Sequence, residues 1–585
     1  MSINYRILIL GILVLIFSNG FSNNLNDTVR VTIDLRQVDS LGLKVEICAP
    51  YDSTGFINYQ FPKSIPGIYE YLNNYEQIIE LSHNGKKVDC SGNSFSINCG
   101  LSPCTLTYSA KSTVNRFNGI SAEDTYYLKD SVYILNWHYI LGFFNSQTNR
   151  PYKIEVFKDK GLLGTGSLPK EAKNDTLDVY IATNYKQLIH SPIMYSEPDT
   201  ANFMIGEVNF TISCAGDDSL LDSKKIKDLL FSPLAKIVGE SHYKHKKYSF
   251  LFYSEYSLAT PYLVGLEHPN STLICYHSAL LDNNILVSSS IHEFIHAIYA
   301  PLRIRSEVIN EFDFTNPKCD EFLWFYEGVT EYLAIKTLVN SGFFSVSNFF
   351  DELNESNNYY KNINFSKVSA TIYAKKGQKL FDNFYTKGSL FAFKLDIEII
   401  KLSNGKTDLF DVMRELQKKY NPNMPFNSKT FINDFSLAAG VDLRKFITDN
   451  VSKKQKINFL EKTEEIGYTK ELQDTFVWTF SAKKIILTYK KDRLEYALFG
   501  STINKELNSK KVTICKINEK PLTWFNYDII LAPNDGKNIF FNANVKTKNI
   551  DFTTMPKQVL IKRGSVNWIK NGRLTPKLAN RFWSK

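Results

Sequence analysis

The residues best suited to chemistry stand in "SSSIHEFIHAIYAP", Ser288 to Pro301. Two of the chain's nine histidines, His292 and His296, lie four residues apart, with Glu293 beside the first. Ile291, Phe294, Ile295 and Ile298 recur at i, i+3, i+4 and i+7, which predicts one apolar helix face. The two histidines then stack one turn apart on an adjacent face, where both imidazoles can address a single ion. Pro301 closes the helix. Glu293 is placed to take a proton from a water that such an ion activates. H-E-x-x-H of this kind supplies two zinc ligands and a general base.

A catalytic zinc takes three protein ligands and leaves its fourth position to water, so a third ligand is expected downstream on another helix. "DEFLWFYEGVTEYLAIK" supplies Glu327 within an aromatic and apolar stretch that reads as a buried helix. A buried carboxylate is costly unless it meets a cation, which leaves a metal or a Lys or Arg partner for Glu327. Glu331, one turn on, is either an outer partner that orients a ligand histidine or a solvated surface glutamate. His242 and His245, in "SHYKHKK", sit among lysines that repel a cation and read as a solvated face.

With these residues in view, the chain resembles the glycyl aminopeptidases, zinc peptidases related to the aminopeptidase N and leukotriene A4 hydrolase group. The likeness runs through "FPKSIPGIYEY", "YLVGLEHPNS", "HEFIHAIYAPLRIRSE", "LWFYEGVTEY", "YTKGSLFAFKLD" and "FSLAAGVDLRKFITDNV", in the family's order, from about residue 30 to 455. The resemblance implies one zinc ion per chain, held by His292, His296 and Glu327. It implies Glu293 as general base, Tyr385 as hydrogen-bond donor to the developing oxyanion, and Gly265 with Glu267 in substrate binding. Glu267 would meet the free α-amine of a peptide, whose N-terminal residue is then expected to be glycine or alanine. Val264 stands where the family usually has a second glycine. Two rival readings keep parts of this set: an endopeptidase with the same chemistry, and a peptide-binding scaffold whose zinc is structural.

Around that centre must be built elements that hold it. The segments "FLWFYEGVTEYLAIKTLVNSG", "KGSLFAFKLDIEIIKLSNG" and "TDLFDVMRELQKKYNP" predict helices stopped by Gly, Gly and Pro. Before them, from about Val29 to Cys214, short alternating runs such as "VRVTIDLRQ" and "YKIEVF" predict an antiparallel β domain. After Val451 strand patterns return in "TFVWTF", "KIILTY" and "KVTICKINEKPL". The expected architecture is multidomain α+β: an N-terminal β domain over 23–221, a thermolysin-like, mostly helical catalytic domain over 222–455, and a β-rich domain over 456–585. The last resembles the PDZ-like domain common in the family, without its glycine-rich carboxylate-binding loop.

The 585 residues allow several domains, and 43% apolar with 14% aromatic content is that of a folded globular protein. The net charge of +9 comes from dispersed lysines, which argues for solvated surfaces and against a nucleic-acid partner. Residues 1–22 read as a signal peptide: Arg6, an apolar run from Ile7 to Phe17, then small and polar residues. An exported protein, periplasmic or secreted, is expected, with an uncleaved anchor as the alternative. Eight cysteines suit export, and Cys90, Cys99 and Cys104 lie close enough in sequence for a bridged loop.

Overall fold

The structure is a computed structural model. It describes residues 28–583 except 50–53, 73, 89–91, 101–103, 114–119, 145–146, 217–221, 242, 256–262, 278–282, 360, 455–457, 480–483, 491–492, 500–511, 518–519, 522–538, 546–547, 555–556 and 571–580. The expected signal peptide therefore lies outside the described residues. Two compact units emerge, one drawn mainly from the chain up to Pro198 and the other from Asp199 onward. Segments 64–71 and 120–123 belong to the second unit despite their early position in sequence.

The first unit is built of sheets whose strands alternate buried and exposed residues, as in Val29–Asp34 and Leu43–Ala49. Its eight-stranded sheet is mixed, because Val29–Asp34 runs parallel to Tyr152–Phe157 while its other neighbour, Leu43–Ala49, is antiparallel. The expectation of a purely antiparallel domain is corrected at that pairing. A return of over a hundred residues separates the two parallel strands, and alternation within each says nothing of direction. Of the three clustered cysteines, Cys99 and Cys104 form a disulfide, with Cα atoms 5.4 Å apart; Cys90 lies outside the described residues.

The second unit opens with a five-stranded sheet in the order Thr200–Ile205, Val208–Gly216, Lys247–Glu255, Ser271–His277, Leu263–Glu267. The change of unit at Asp199 thus precedes the expected boundary near 222, since the hairpin 200–216 pairs in parallel with Lys247–Glu255. The helical reading from 222 onward passed over these central strands, which are buried on both faces and lack the alternation that marks a half-exposed strand. Leu263–Glu267 is the antiparallel edge strand and packs against the helix Asn283–Ile298.

The three predicted helices form. Thr330–Asn340 is followed by Gly342 at φ +78°, and Asp382–Leu402 by Gly405 at φ +75°, the left-handed stops glycine favours. Leu409–Lys419 starts at a capping box between Asp408 and Asp411. A buried ion pair binds them together: Lys336 Nζ meets Asp396 Oδ2 at 2.5 Å, both side chains at most 1% exposed. Asp396 also accepts from the Tyr332 hydroxyl and the Leu409 backbone N–H, so one carboxylate ties three helices. Strands recur at Tyr468–Thr479, Lys484–Lys490 and Val512–Ile517, as expected for the C-terminal part. Among the described residues no helix is long and apolar enough to cross a membrane.

Candidate active site

The helix Asn283–Ile298 is buried along its whole second half, and Ile291, Phe294, Ile295 and Ile298 are sealed in the core. Phe294 fixes its roll, with its ring 4.8 Å from that of Tyr248 and 5.4 Å from that of Phe210. His292 and His296 are thereby turned to a common point, their Nε2 atoms 2.9 Å apart. Glu327 arrives from a single π-helical turn, Trp324–Val329, inserted ahead of Thr330–Asn340. Such turns are found most often where a side chain must be aimed out of register with its helix. Glu327 Oε2 stands 3.6 Å from His292 Nε2 and 3.4 Å from His296 Nε2.

These three atoms fit a metal ion on grounds internal to the chain. His292 Nδ1–H donates to Glu331 Oε2 at 2.7 Å, and His296 Nδ1–H donates to the Ala300 carbonyl at 2.6 Å. Both Nε2 atoms then present lone pairs to each other across 2.9 Å, which is repulsive unless a cation sits between them. Glu327 Oε2 is buried and accepts no hydrogen bond. Burial pushes the Glu327 carboxyl up, but the adjacent His296 and His292 outweigh it and hold it below the usual carboxylate range. Two nitrogens and a carboxylate oxygen are a zinc-type donor set.

Glu293 turns toward the edge strand. A β-carbon at Gly265 would stand 2.4 Å from Glu293 Oε1, so the strand backbone lies directly against this carboxylate. Glu267, two residues on, shares that face of the strand and is also buried. Burial raises the pKa of both glutamates, and at Glu267 the neighbouring Glu293 and Glu327 add to the rise. Tyr385 lies on Asp382–Leu402 with its ring 5.5 Å from that of His292. Burial lifts its phenol well above 10, and the negative Glu327, Glu293 and Glu267 lift it further, so it keeps its proton.

The residues assigned to the site therefore come to one place: His292, His296, Glu327, Glu293, Tyr385, Gly265, Glu267 and Glu331. The open choice for Glu331 is resolved by its bond to His292. His245 stays apart, its pKa lowered by burial and by Arg303. The contact of Thr330 Oγ1 with His296 Nδ1 at 3.5 Å escaped the sequence reading, although Thr330 follows Glu327 by three residues and so shares its helix face. Among the described residues a second metal-like grouping, His83 with Cys99 and Cys104, is spent on the disulfide.

Comparison with known proteins agrees with the geometry. Residues 30–197 match the peptidase M61 N-terminal domain, and residues 286–390 match the M61 glycyl aminopeptidase domain, which spans the triad and Tyr385. No curated protein matches the chain. Among solved structures, an aminopeptidase N family protein from Idiomarina loihiensis is similar in fold, with 18% identity and TM-score 0.71, over 95% of this chain and 100% of that one. An M1 zinc metallopeptidase from Deinococcus radiodurans aligns with 9% identity and TM-score 0.46, over 74% of this chain and 95% of that one. The chain is thus a metallopeptidase, in which residues 30–197 match the M61 N-terminal domain and residues 286–390 the M61 glycyl aminopeptidase domain.

Proposed function

We propose that the protein is a zinc aminopeptidase that releases small N-terminal residues, glycine or alanine, from peptides. The observation that carries this reading is Glu267, a buried carboxylate on the same face of the edge strand as Gly265, which lies against the Glu293 carboxylate. Burying such a group costs several kcal/mol unless a cation pairs with it. The α-ammonium of a peptide is the cation that a peptidase cleft meets.

His292, His296 and Glu327 would hold the zinc, which supplies Lewis acidity that activates water and polarises the scissile carbonyl. Glu293 takes a proton from the attacking water and hands it to the departing amine. The Tyr385 hydroxyl donates to the oxygen on which negative charge develops. Glu267 fixes the N-terminus, which sets the cut one residue in. Gly265 lets the edge-strand backbone lie close against the Glu293 carboxylate, and the peptide lies along that strand.

The chain's exported location, periplasmic or secreted, and a PDZ-like identity for its C-terminal strands are part of the same proposal; they rest on the sequence pattern. The test is hydrolysis of free and N-acetylated aminoacyl substrates by zinc-loaded protein, with chelator and zinc add-back. Cleavage of free Gly and Ala substrates alone supports the aminopeptidase. Equal cleavage of acetylated peptides would replace it with an endopeptidase.

A further inference from the structure

We propose that the segment Ser64–Tyr71, with Tyr69 at its centre, is the wall that restricts the first side chain of the substrate to small residues. This rests on the aminopeptidase reading for the direction in which a substrate lies. The segment, "SIPGIYEY", comes from the N-terminal part of the chain but belongs to the unit that holds the active site.

Its two ends of contact bracket the cleft. At Gly67, φ is +93°, and a β-carbon there would lie 3.2 and 3.3 Å from the two carboxylate oxygens of Glu267 and 3.0 Å from Leu266 Cδ1. The segment's backbone is therefore packed onto the proposed amine site. Two residues later the Tyr69 ring lies 5.1 Å from that of Phe381, which lies 5.3 Å from that of Tyr385, itself 5.5 Å from His292. A row of rings thus joins Tyr69 to the metal triad. Burial raises the Tyr69 phenol pKa first of all, and the charges of Cys319, Glu327 and Glu267 add to it, so the side chain lies within electrostatic reach of both carboxylates.

A peptide's first Cα is one bond from its ammonium nitrogen and one from its scissile carbonyl carbon. With the ammonium at Glu267 and the carbonyl at the triad, the side chain leaves from between them, and the segment that packs on Glu267 and reaches Tyr385 through Phe381 borders that space. The ring is rooted. Ser64 Oγ donates to the Ile68 carbonyl at 2.6 Å, the Tyr373 hydroxyl donates to the same carbonyl at 3.4 Å, and Gln378 Nε2 donates to the Tyr69 carbonyl at 3.1 Å. Tyr373 also flanks the ring at 6.0 Å. A large ring flanked by Tyr373 and Phe381 on a fixed backbone excludes bulk rather than adapting to it.

The test compares wild type, Tyr69→Ala, Tyr69→Leu and Tyr69→Phe, all zinc-loaded, on glycine, alanine and leucine 4-nitroanilides, and measures binding of glycine and leucine hydroxamates by calorimetry. Tyr69→Ala is expected to raise the leucine-to-glycine ratio of kcat/KM by about tenfold or more, with a matching shift in hydroxamate affinities. Tyr69→Leu shifts both the same way and decides the matter should the alanine variant fail to fold. Tyr69→Phe keeps the ratios within about twofold, because bulk and not the hydroxyl is the barrier. Unchanged ratios in folded, zinc-bound Ala and Leu variants overturn the proposal. Cleavage of acetylated substrates by wild type would instead reject the aminopeptidase reading, and the hydroxamate ratios would still decide whether Tyr69 is the wall.

Discussion

Gly328 and Gly388 cross in backbone contact: a β-carbon on Gly328 would lie 2.6 Å from Gly388 Cα, and one on Gly388 would lie 2.8 Å from Gly328 Cα. Gly328 adjoins Glu327, and Gly388 lies three residues after Tyr385, so this crossing sets how far the third metal ligand stands from the phenol. It also explains why "YTKGS" needs its glycine. Gly388→Ala should push the two helices apart, costing about 1–3 kcal/mol of stability and about 10²-fold in kcat/KM through misplacement of Tyr385. Thermal unfolding and steady-state kinetics on one preparation check both; an alanine variant with wild-type kinetics would show that the crossing tolerates bulk.

Gly265→Ala should act on the base instead of the fold. Gly265 is not in the left-handed region, so alanine strains no dihedral there, but its methyl would occupy the space of the Glu293 carboxylate. We expect zinc to remain bound and kcat to fall roughly 10²-fold, since a displaced base costs about that much. Metal analysis alongside kcat separates this outcome from loss of the site.

Glu331→Ala removes the acceptor of the His292 Nδ1 proton while leaving His296 anchored to the Ala300 carbonyl. Zinc affinity should weaken by about 10- to 100-fold, the usual effect of losing such a partner. Competition with a chromogenic chelator measures it; unchanged affinity would make the contact incidental.

Tyr385→Phe should lower kcat by about 10²–10³ with little change in KM, if the hydroxyl meets only the developing oxyanion. The pH profile carries a further sign. Because the phenol pKa is raised well above 10, the donor form persists as pH rises through the neutral and mildly alkaline range, and is lost only above the raised value. Wild type should therefore show no alkaline decline from Tyr385 below pH 10. A decline present in wild type and absent in Tyr385→Phe would reverse that assignment.

Lys336→Met would strand Asp396 as an unpaired buried charge, still facing Tyr332 and the Leu409 N–H. A loss of about 3–5 kcal/mol is expected on denaturant unfolding. The double variant with Asp396→Leu should recover part of it, because two apolar residues leave no orphaned charge.

The sequence by itself determined which residues could do chemistry. His292, Glu293 and His296 are announced by residue type at a fixed spacing along one helix, which is a property of backbone geometry alone, whereas Glu327 was suggested by its apolar surroundings and Tyr385 by the family resemblance. Helix ends were likewise legible from residue type, at Gly342 and Gly405. The central strands Lys247–Glu255 and Ser271–His277 were not, because burial on both faces erases alternation. Nor was the parallel pairing of Val29–Asp34 with Tyr152–Phe157, which depends on a long-range choice of partner. Only the tertiary structure decided that Glu331 reaches His292, that Gly265 and Gly328 are glycines because other backbones or carboxylates fill the space of a β-carbon, and that Ser64–Tyr71 lies against Glu267, some 200 residues away in sequence. Those relations join residues whose separation along the chain carries no information about their distance in space; packing alone makes them neighbours.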